Sequence, residues 1–126
     1  MVRFLTTTSV IRMHDHMIRL YGGKEGILNF HLLESALNQP KMALYLLNAP
    51  LLEMAASYGF HIAKNHAFYD GNKRTARMAM IVFLRYNNVK IIATEEDTLN
   101  MILDVAEGRM SKEQLAEWLE TATAPI

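Results

Sequence analysis

Two neighbouring segments of the chain are apolar around most of the circumference of a helix, and this feature constrains the fold most. The first segment begins at Pro50, a residue that favours the first position of a helix, and runs to about Asn65. The second runs from about Asn72 to Asn87, and only a short polar loop separates the two. Because helices with little polar surface are buried among other helices, the sequence predicts a bundle built around this central pair.

Helix caps and helix breakers predict two helices before the central pair. The first runs from about Thr8 to Leu20 and ends at the glycine pair 22–23. The second begins after Asn29, whose side chain suits an N-cap, and stops at Pro40. The loop between these two helices is rich in glycine.

Two more helices are predicted after the central pair. Thr94–Asp97 and Ser111–Gln114 have the spacing of capping boxes, and Gly108 separates the two helices that they begin. Residues 89–92 have the composition of a strand, but no partner strand is identifiable. We therefore expect an all-α, compact single-domain bundle of about six helices that spans residues 1–126.

Composition excludes several classes of protein. The chain has 126 residues, 51% of them apolar, and its 13 basic side chains balance 13 acidic ones. This balance argues against a protein that coats nucleic acid, which would carry an excess of positive charge. The absence of cysteine excludes disulfides, thiolate zinc sites and cysteine nucleophiles. No apolar run is long enough for a membrane span or a signal peptide, so we expect a cytoplasmic protein without membrane contact.

The polar loop and the start of the second central helix carry the residues that suggest chemistry. Lys73, Arg74 and Arg77 place three cations in the first turns of this helix, where the helix dipole repels positive charge by some tenths of a kcal/mol each. The free N–H groups of the same turn also attract an anion. A bound polyphosphate would compensate this arrangement, and Asn72 would add a neutral donor.

Two further residues of the loop suit a reaction on a polyphosphate. Asp70 supplies a carboxylate next to the predicted phosphates, which is the ligand that Mg²⁺ combines with phosphate oxygens and water. His66 lies at the other end of the loop and can accept a proton near neutral pH.

Each of these residues also has a purely structural interpretation. His66 could neutralise the C-terminal end of a helix, Asp70 could be an N-cap, Gly71 a turn residue and Phe68 a core residue. Any one of them alone would favour that interpretation. Their concentration within twelve residues, with three cations at the unfavourable helix end, favours a functional site.

A zinc hydrolase is a weaker alternative. His14 and His16 are two residues apart and point to different sides of a helix. His61 and His66 are five residues apart, which also does not suit one shared metal ion.

The segment His66–Arg77 resembles the signature of the Fic/Doc family, His-x-Phe-x-Asp-Gly-Asn-x-Arg-x-x-Arg. Lys73 stands where many Fic proteins have a second glycine, and this feature resembles the Doc branch. Further Doc-like segments are 20–23, 33–37, 105–108 and 118–119, so the resemblance spans nearly the whole chain. It implies a compact helical fold with the catalytic loop between two central helices.

The resemblance also implies an activity and the residues that perform it. Doc toxins transfer the γ-phosphate of ATP to a threonine of elongation factor Tu, with the nucleotide reversed relative to Fic proteins. Fic proteins transfer AMP from ATP to a protein hydroxyl, which is the alternative here, and a non-catalytic module that binds nucleotide or antitoxin is a third. By resemblance, His66 is the general base, Asp70 the magnesium ligand, and Gly71, Asn72, Lys73, Arg74 and Arg77 hold phosphates, with Lys73 and Arg74 also catalytic.

Two departures and one absence refine these expectations. Ala67 replaces the usual proline of Fic proteins, and Arg77 keeps a final arginine that the best-known Doc toxin lacks. The inhibitory motif Ser/Thr-x-x-x-Glu-Gly/Asn of many Fic proteins is absent, so we expect inhibition by a separate Phd-like antitoxin.

Family resemblance also suggests a docking site for the target protein. The loop 22–29 is exposed and rich in glycine, and an extended target segment could bind it by backbone hydrogen bonds. Leu28, Asn29 and Phe30 are the expected docking residues, although a plain helix connection explains this loop about as well.

Overall fold

Six α-helices and two short strands make up the computed structural model, which describes residues 1–126. In chain order they are α1 (Thr7–Tyr21), α2 (Phe30–Leu47), α3 (Leu51–Asn65), α4 (Asn72–Tyr86), β1 (Val89–Ile91), α5 (Glu95–Ala106), α6 (Lys112–Ala122) and β2 (Thr123–Pro125). The predicted bundle of six helices is confirmed. No helix of the structure combines the length and the apolar character that crossing a membrane requires.

The central position of α3 and α4 is also confirmed. Helix α3 packs against α2, α4, α5 and α6, and residues 54–59 are buried without interruption. At Gly59 an added Cβ would lie 3.1 Å from both Ile102 and Met80, so glycine permits the close approach of α5 and α4 at this point. The loop that carries the predicted chemistry therefore connects the two helices that are most enclosed by the rest of the fold.

A buried tyrosine joins the N-terminal segment to this core. The Tyr58 ring packs against Phe83 at 4.9 Å between ring centroids, and its hydroxyl accepts a hydrogen bond from the Leu5 N–H at 3.0 Å. Burial raises the pKa of Tyr58 to about 12, so the hydroxyl stays protonated at any physiological pH. The contact holds the chain against α3 just before α1 begins.

Pro40 does not end α2, contrary to the prediction. The helix continues to Leu47 and ends at Asn48, which adopts the left-handed conformation. A proline inside a helix removes one backbone hydrogen bond and crowds the preceding turn. Pro40 is buried in α2, a helix that packs against α3, and the burial of its apolar ring offsets part of this cost. Pro50 is the N-cap of α3, so this helix begins at Leu51, one residue later than predicted.

The strand predicted at 89–92 has a partner at the C-terminal end of the chain. β1 and β2 pair antiparallel, with Val89 opposite Pro125 and Ile91 opposite Thr123. The predicted caps are present as well. Ser111 forms a reciprocal capping box with Gln114, whereas Thr94 accepts one bond from the Asp97 N–H without the reciprocal one.

Candidate active site

A cleft of about 440 Å³ lies where the loop 66–71 meets α1 and α4. Helix α5 closes one wall with Leu99 and Leu103, and α1 contributes Met17 and Tyr21. The predicted site residues that line the cleft are His66, Asp70, Gly71, Asn72, Lys73 and Arg74. A larger groove of about 560 Å³ between α3, α6 and the strands contains none of the predicted site residues. The smaller cleft is therefore the candidate active site.

The start of α4 offers unpaired backbone donors to this cleft. The first backbone bond of the helix runs from the Thr75 N–H to the Gly71 carbonyl at 3.0 Å. The N–H groups of Gly71, Asn72, Lys73 and Arg74 donate to no protein acceptor. Free N–H groups at the positive end of a helix dipole form an anion site.

Lys73 and Arg74 add positive charge at the same place. Lys73 is exposed, and Arg74 is half-buried with its guanidinium 3.7 Å from the centre of the Tyr21 ring. A guanidinium stacked on an aromatic face keeps its charge and loses conformational freedom. Tyr21 thus holds Arg74 at the cleft, a contact that the sequence does not reveal.

Arg77 is not brought together with the other cations. It does not line the cleft, it is half-buried, and its Nε is buried without a hydrogen-bond partner. Its position one turn after Lys73 suits the predicted shared face, but the side chain lies outside the cleft. The prediction that Arg77 contacts phosphate has no geometric support in this structure.

The side chain of Asn72 holds the loop together. Its Oδ1 accepts from the Phe68 N–H at 3.0 Å and its Nδ2 donates to the Phe68 carbonyl at 2.9 Å. Asn72 is also nearly fully buried. The part of Asn72 that faces an anion is therefore its free backbone N–H, whereas the side chain closes the turn.

Asp70 presents a carboxylate to the cleft and is not the N-cap of α4. Gly71 is the cap residue and adopts the left-handed conformation with φ 80°. The Oδ2 atom of Asp70 accepts from the Lys24 N–H at 2.7 Å, and Oδ1 has no partner in the protein. This single free oxygen fits Mg²⁺ only if phosphate oxygens and water complete the coordination, since no group of three metal-ligating side chains is present.

His66 lies at the C-terminal end of α3 and on the wall of the cleft. Its backbone is in the left-handed conformation, with φ 54° and ψ 47°. The side chain is exposed and forms no hydrogen bond within the protein. The imidazole is therefore free to bind a group in the cleft.

The segment 22–29, here called the flap, pairs with the loop that carries the site. Ile27 and Phe68 form an isolated antiparallel bridge, and the N–H groups of Leu28 and Asn29 both donate to the Ala67 carbonyl, at 2.8 and 3.0 Å. These two donors are thus not free for a target segment. The Asn29 side chain caps α2, as predicted from its type.

Apolar side chains of the predicted docking region remain available. Leu28 is 51% exposed and Phe30 is 45% exposed. Docking through these side chains stays a prediction, whereas docking through the N–H groups of Leu28 and Asn29 would first require the flap to leave the loop.

Besides Tyr21, a second residue of α1 at the site could not be assigned from the sequence. His14, considered above only as half of a metal pair, is buried in α1, with its Nε2 2.7 Å from the Asp70 carbonyl oxygen. Its ring stacks on Phe68 at 3.8 Å between centroids and 6° between planes. The sequence does place His14 on the apolar face of α1 with Val10 and Met17, which indicates a buried polar group that needs a partner.

Comparison with known proteins agrees with this geometry. The sequence model of the Fic/DOC family matches residues 4–84, which include the flap, the loop and most of α4. The chain belongs to the Fic/Doc family.

Curated Fic/Doc relatives place it in the Doc branch. It is 31% identical over 120 residues to a protein of Escherichia phage P1 named protein kinase doc, with 94% of each chain covered. It is 35% identical over 89 residues to toxin Doc of Mycolicibacterium smegmatis, which covers 65% of this chain and 68% of that one. The first of these alignments extends through α5 and α6, so the Doc-type likeness is not confined to the signature.

Proposed function

We propose that this Doc-type protein is a toxin that transfers the γ-phosphate of ATP to a threonine hydroxyl of a translation factor such as elongation factor Tu. The observation that carries the proposal is the cleft itself. An unbonded imidazole, a carboxylate with one free oxygen and four free N–H groups all belong to residues that line a single cavity of about 440 Å³.

The start of α4 binds the triphosphate in this proposal. The N–H groups of residues 71–74 donate to phosphate oxygens, and Lys73 and Arg74 neutralise the remaining charge. Charge-assisted hydrogen bonds of this kind are about twice as strong as neutral ones. Lys73 and Arg74, which disfavour the unliganded helix, then become favourable, which explains their position at the N-terminal end of α4.

Asp70 would hold Mg²⁺ through its carboxylate, together with phosphate oxygens and water. The ion supplies positive charge to the transferring phosphoryl group. The other carboxylate oxygen accepts the Lys24 N–H, which fixes the orientation of the side chain. One carboxylate is a common protein contribution to a magnesium–nucleotide site.

His66 acts as the general base. The target hydroxyl gives its proton to the imidazole as its oxygen forms a bond to the γ-phosphorus. The bond between that phosphorus and the β–γ bridging oxygen breaks, and ADP leaves. An exposed imidazole with no bond inside the protein can approach the hydroxyl of a large target.

Two observations favour phosphoryl transfer over AMP transfer. The Lys73 side chain fills space where many Fic proteins have glycine, and Arg77, the final arginine of the Fic pattern, does not line the cleft. The relative from phage P1 is also named a protein kinase. AMP transfer is the competing outcome of the experiment below.

We also propose the partners and location of the protein. A Doc-type relative is named a toxin, and no inhibitory motif is present in this chain, so a Phd-like antitoxin would inhibit it as a separate protein. The target would contact Leu28 and Phe30 of the flap region, and the reaction would take place in the cytoplasm.

The experiment is a transfer assay with two labels. Purified protein is incubated with elongation factor Tu, Mg²⁺ and ATP labelled at either the α or the γ position. Label from γ alone supports the proposal, whereas label from α alone means AMP transfer. Transfer from neither position, with a protein that is folded and binds ATP, would contradict the proposed target. The His31→Ala variant, which loses an exposed histidine of α2, is the matched control for His66→Ala.

A further inference from the structure

We propose that His14 is a positioning residue for the candidate active site. Its hydrogen bond to the Asp70 carbonyl sets the orientation of the peptide group between Asp70 and Gly71, and through it the N–H groups at the start of α4. This inference rests on the proposed function for its effect on catalysis, but its structural part can be tested separately.

The bond has a defined direction. A carbonyl oxygen only accepts, so Nε2 of His14 carries the hydrogen and donates at 2.7 Å. The ring cannot turn away, because it is 1% exposed and stacks on Phe68 at 3.8 Å. His14 is therefore a hydrogen-bond donor with a fixed position, held on the side of α1 that contacts the loop.

The orientation of this peptide decides where the Gly71 N–H points. In a trans peptide the carbonyl and the N–H point in opposite directions, so the Gly71 N–H points away from His14. Asp70 also precedes Arg74 by four residues, the spacing of a helical hydrogen bond. The Asp70 carbonyl bonds to His14 and not to the Arg74 N–H, which has no acceptor in the protein.

The ring has a second contact that must be separated from this bond. A Cβ added at Gly71 would lie 3.4 Å from Cδ2 and 3.5 Å from Nε2 of His14, so the ring packs closely against the left-handed glycine. A phenyl ring would keep both the packing against Gly71 and the stacking on Phe68. Phenylalanine lacks the Nε2 donor, and it also lacks Nδ1, which lies 3.8 Å from Oδ1 of the exposed Asp15.

Three variants separate the donor from the packing. His14→Phe keeps an aromatic ring without a donor, and His14→Gln keeps a donor without the ring. His16→Phe is the matched control, because His16 is exposed on the same helix two residues away and forms no hydrogen bond. Each variant is examined by the backbone amide NMR signals of residues 71–74 and by thermal unfolding.

We expect the amide signals and the transfer rate to change when the His14 donor is removed, and not in the His16 control. The amide signals of residues 71–74 shift in His14→Phe and stay in place in His16→Phe. In the transfer assay, His14→Phe loses about 10- to 100-fold in kcat, because a small misplacement of binding groups has effects of this size. The KM for the target protein stays within about twofold, and His14→Gln recovers part of the kcat.

Several results would overturn the inference. One is a folded His14→Phe with unchanged amide signals, and another is wild-type kcat in that variant. If His14→Phe does not fold, His14→Gln decides: normal amide signals and partly retained transfer support a donor role, whereas folded protein with strongly shifted signals contradicts it. If the wild-type protein transfers no label at all, the proposed function fails. The amide signals still test the positioning role in that case.

Discussion

The backbone N–H of Lys24 donates a hydrogen bond to Oδ2 of Asp70 at 2.7 Å, and this bond ties the flap to the proposed magnesium ligand. Gly23 makes the approach possible, since a Cβ there would lie 3.0 Å from the Asp70 Cβ and the residue has φ 116°. With the His14 bond to its carbonyl, Asp70 is held by its main chain and its side chain from two different elements.

Replacing Asp70 by asparagine separates the two functions of its carboxylate. The amide oxygen of Asp70→Asn can still accept the Lys24 N–H, so we expect the flap to stay in place. The negative charge that we propose as the Mg²⁺ ligand is lost. Calorimetric titration with ATP should show tighter binding with Mg²⁺ than in excess chelator for the wild-type protein, and little difference for Asp70→Asn. Equal affinity of the wild-type protein in chelator would remove Asp70 from the metal role.

Removing the His66 imidazole should abolish transfer without unfolding the protein. A positioned base contributes about 10²–10⁴ in rate. This factor corresponds to roughly 3–5 kcal/mol of barrier. His66 is exposed, so His66→Ala leaves no cavity and the Tm should change by only a few degrees.

Transfer and thermal unfolding are measured on the same preparation of His66→Ala. The His31→Ala control should keep both transfer and stability. A purely structural role for His66 gives the opposite pattern, with lower Tm and normal specific activity in the folded fraction. Full activity of His66→Ala would leave phosphate positioning as the main source of catalysis.

Position 73 is expected to decide between the two transfer reactions. Lys73→Gly removes a cation and side-chain volume from the cleft. We expect loss of γ-phosphoryl transfer and some gain of AMP transfer, both read from ATP labelled at the α or γ position. The control variant is Lys73→Met, which keeps most of the side-chain volume and removes the charge. Efficient AMP transfer by the wild-type protein would show that the steric argument is wrong.

His61 should make stability depend on pH. Burial, and secondly the charge of Lys112 beside it, lower the pKa of His61 from its usual 6.5 to about 4. The unfolded chain therefore takes up this proton near pH 6.5 and the folded protein only near pH 4. Stability is complete above pH 6.5 and falls as the pH drops towards 4.

The matched measurement compares the wild-type protein with His61→Gln. Thermal unfolding of both is followed between pH 7.5 and 4.5. Towards the lower end of this range the unfolded wild-type chain binds about one proton more than the folded protein, because His61 is protonated only when the chain is unfolded. The wild-type protein should lose several degrees more than His61→Gln over that range. Identical pH profiles would mean that His61 remains solvated in the folded protein.

Much of the fold could be predicted because the relevant signals are local. Caps such as Asn29 and Ser111 bond to a backbone group three residues away, and the apolar pattern of α3 and α4 depends only on helical spacing. The continuation of α2 through Pro40 could not be predicted. It depends on packing against α3, and tertiary packing outweighs local preference.

The site shows the same division. His66, Asp70 and the free N–H groups at the start of α4 follow from one continuous segment. His14 and Tyr21, by contrast, act on this segment from α1, more than fifty residues earlier in the chain. Arg77 shows the limit of helical spacing, which predicts a face shared with Lys73, whereas Arg77 does not line the cleft.

The left-handed backbone of His66 affects which residue natural selection for stability would favour at this position. A side chain with a Cβ is disfavoured in that conformation by about 1–2 kcal/mol, and glycine is not. His66→Gly should therefore unfold at a higher temperature than His66→Ala, by about 0.5–1 kcal/mol of stability after the greater freedom of the unfolded glycine chain is subtracted. The proposed function requires an imidazole at a position that stability alone would assign to glycine. A population released from the need for the reaction should drift first at this residue, and its inactive descendants should be the more heat-resistant ones.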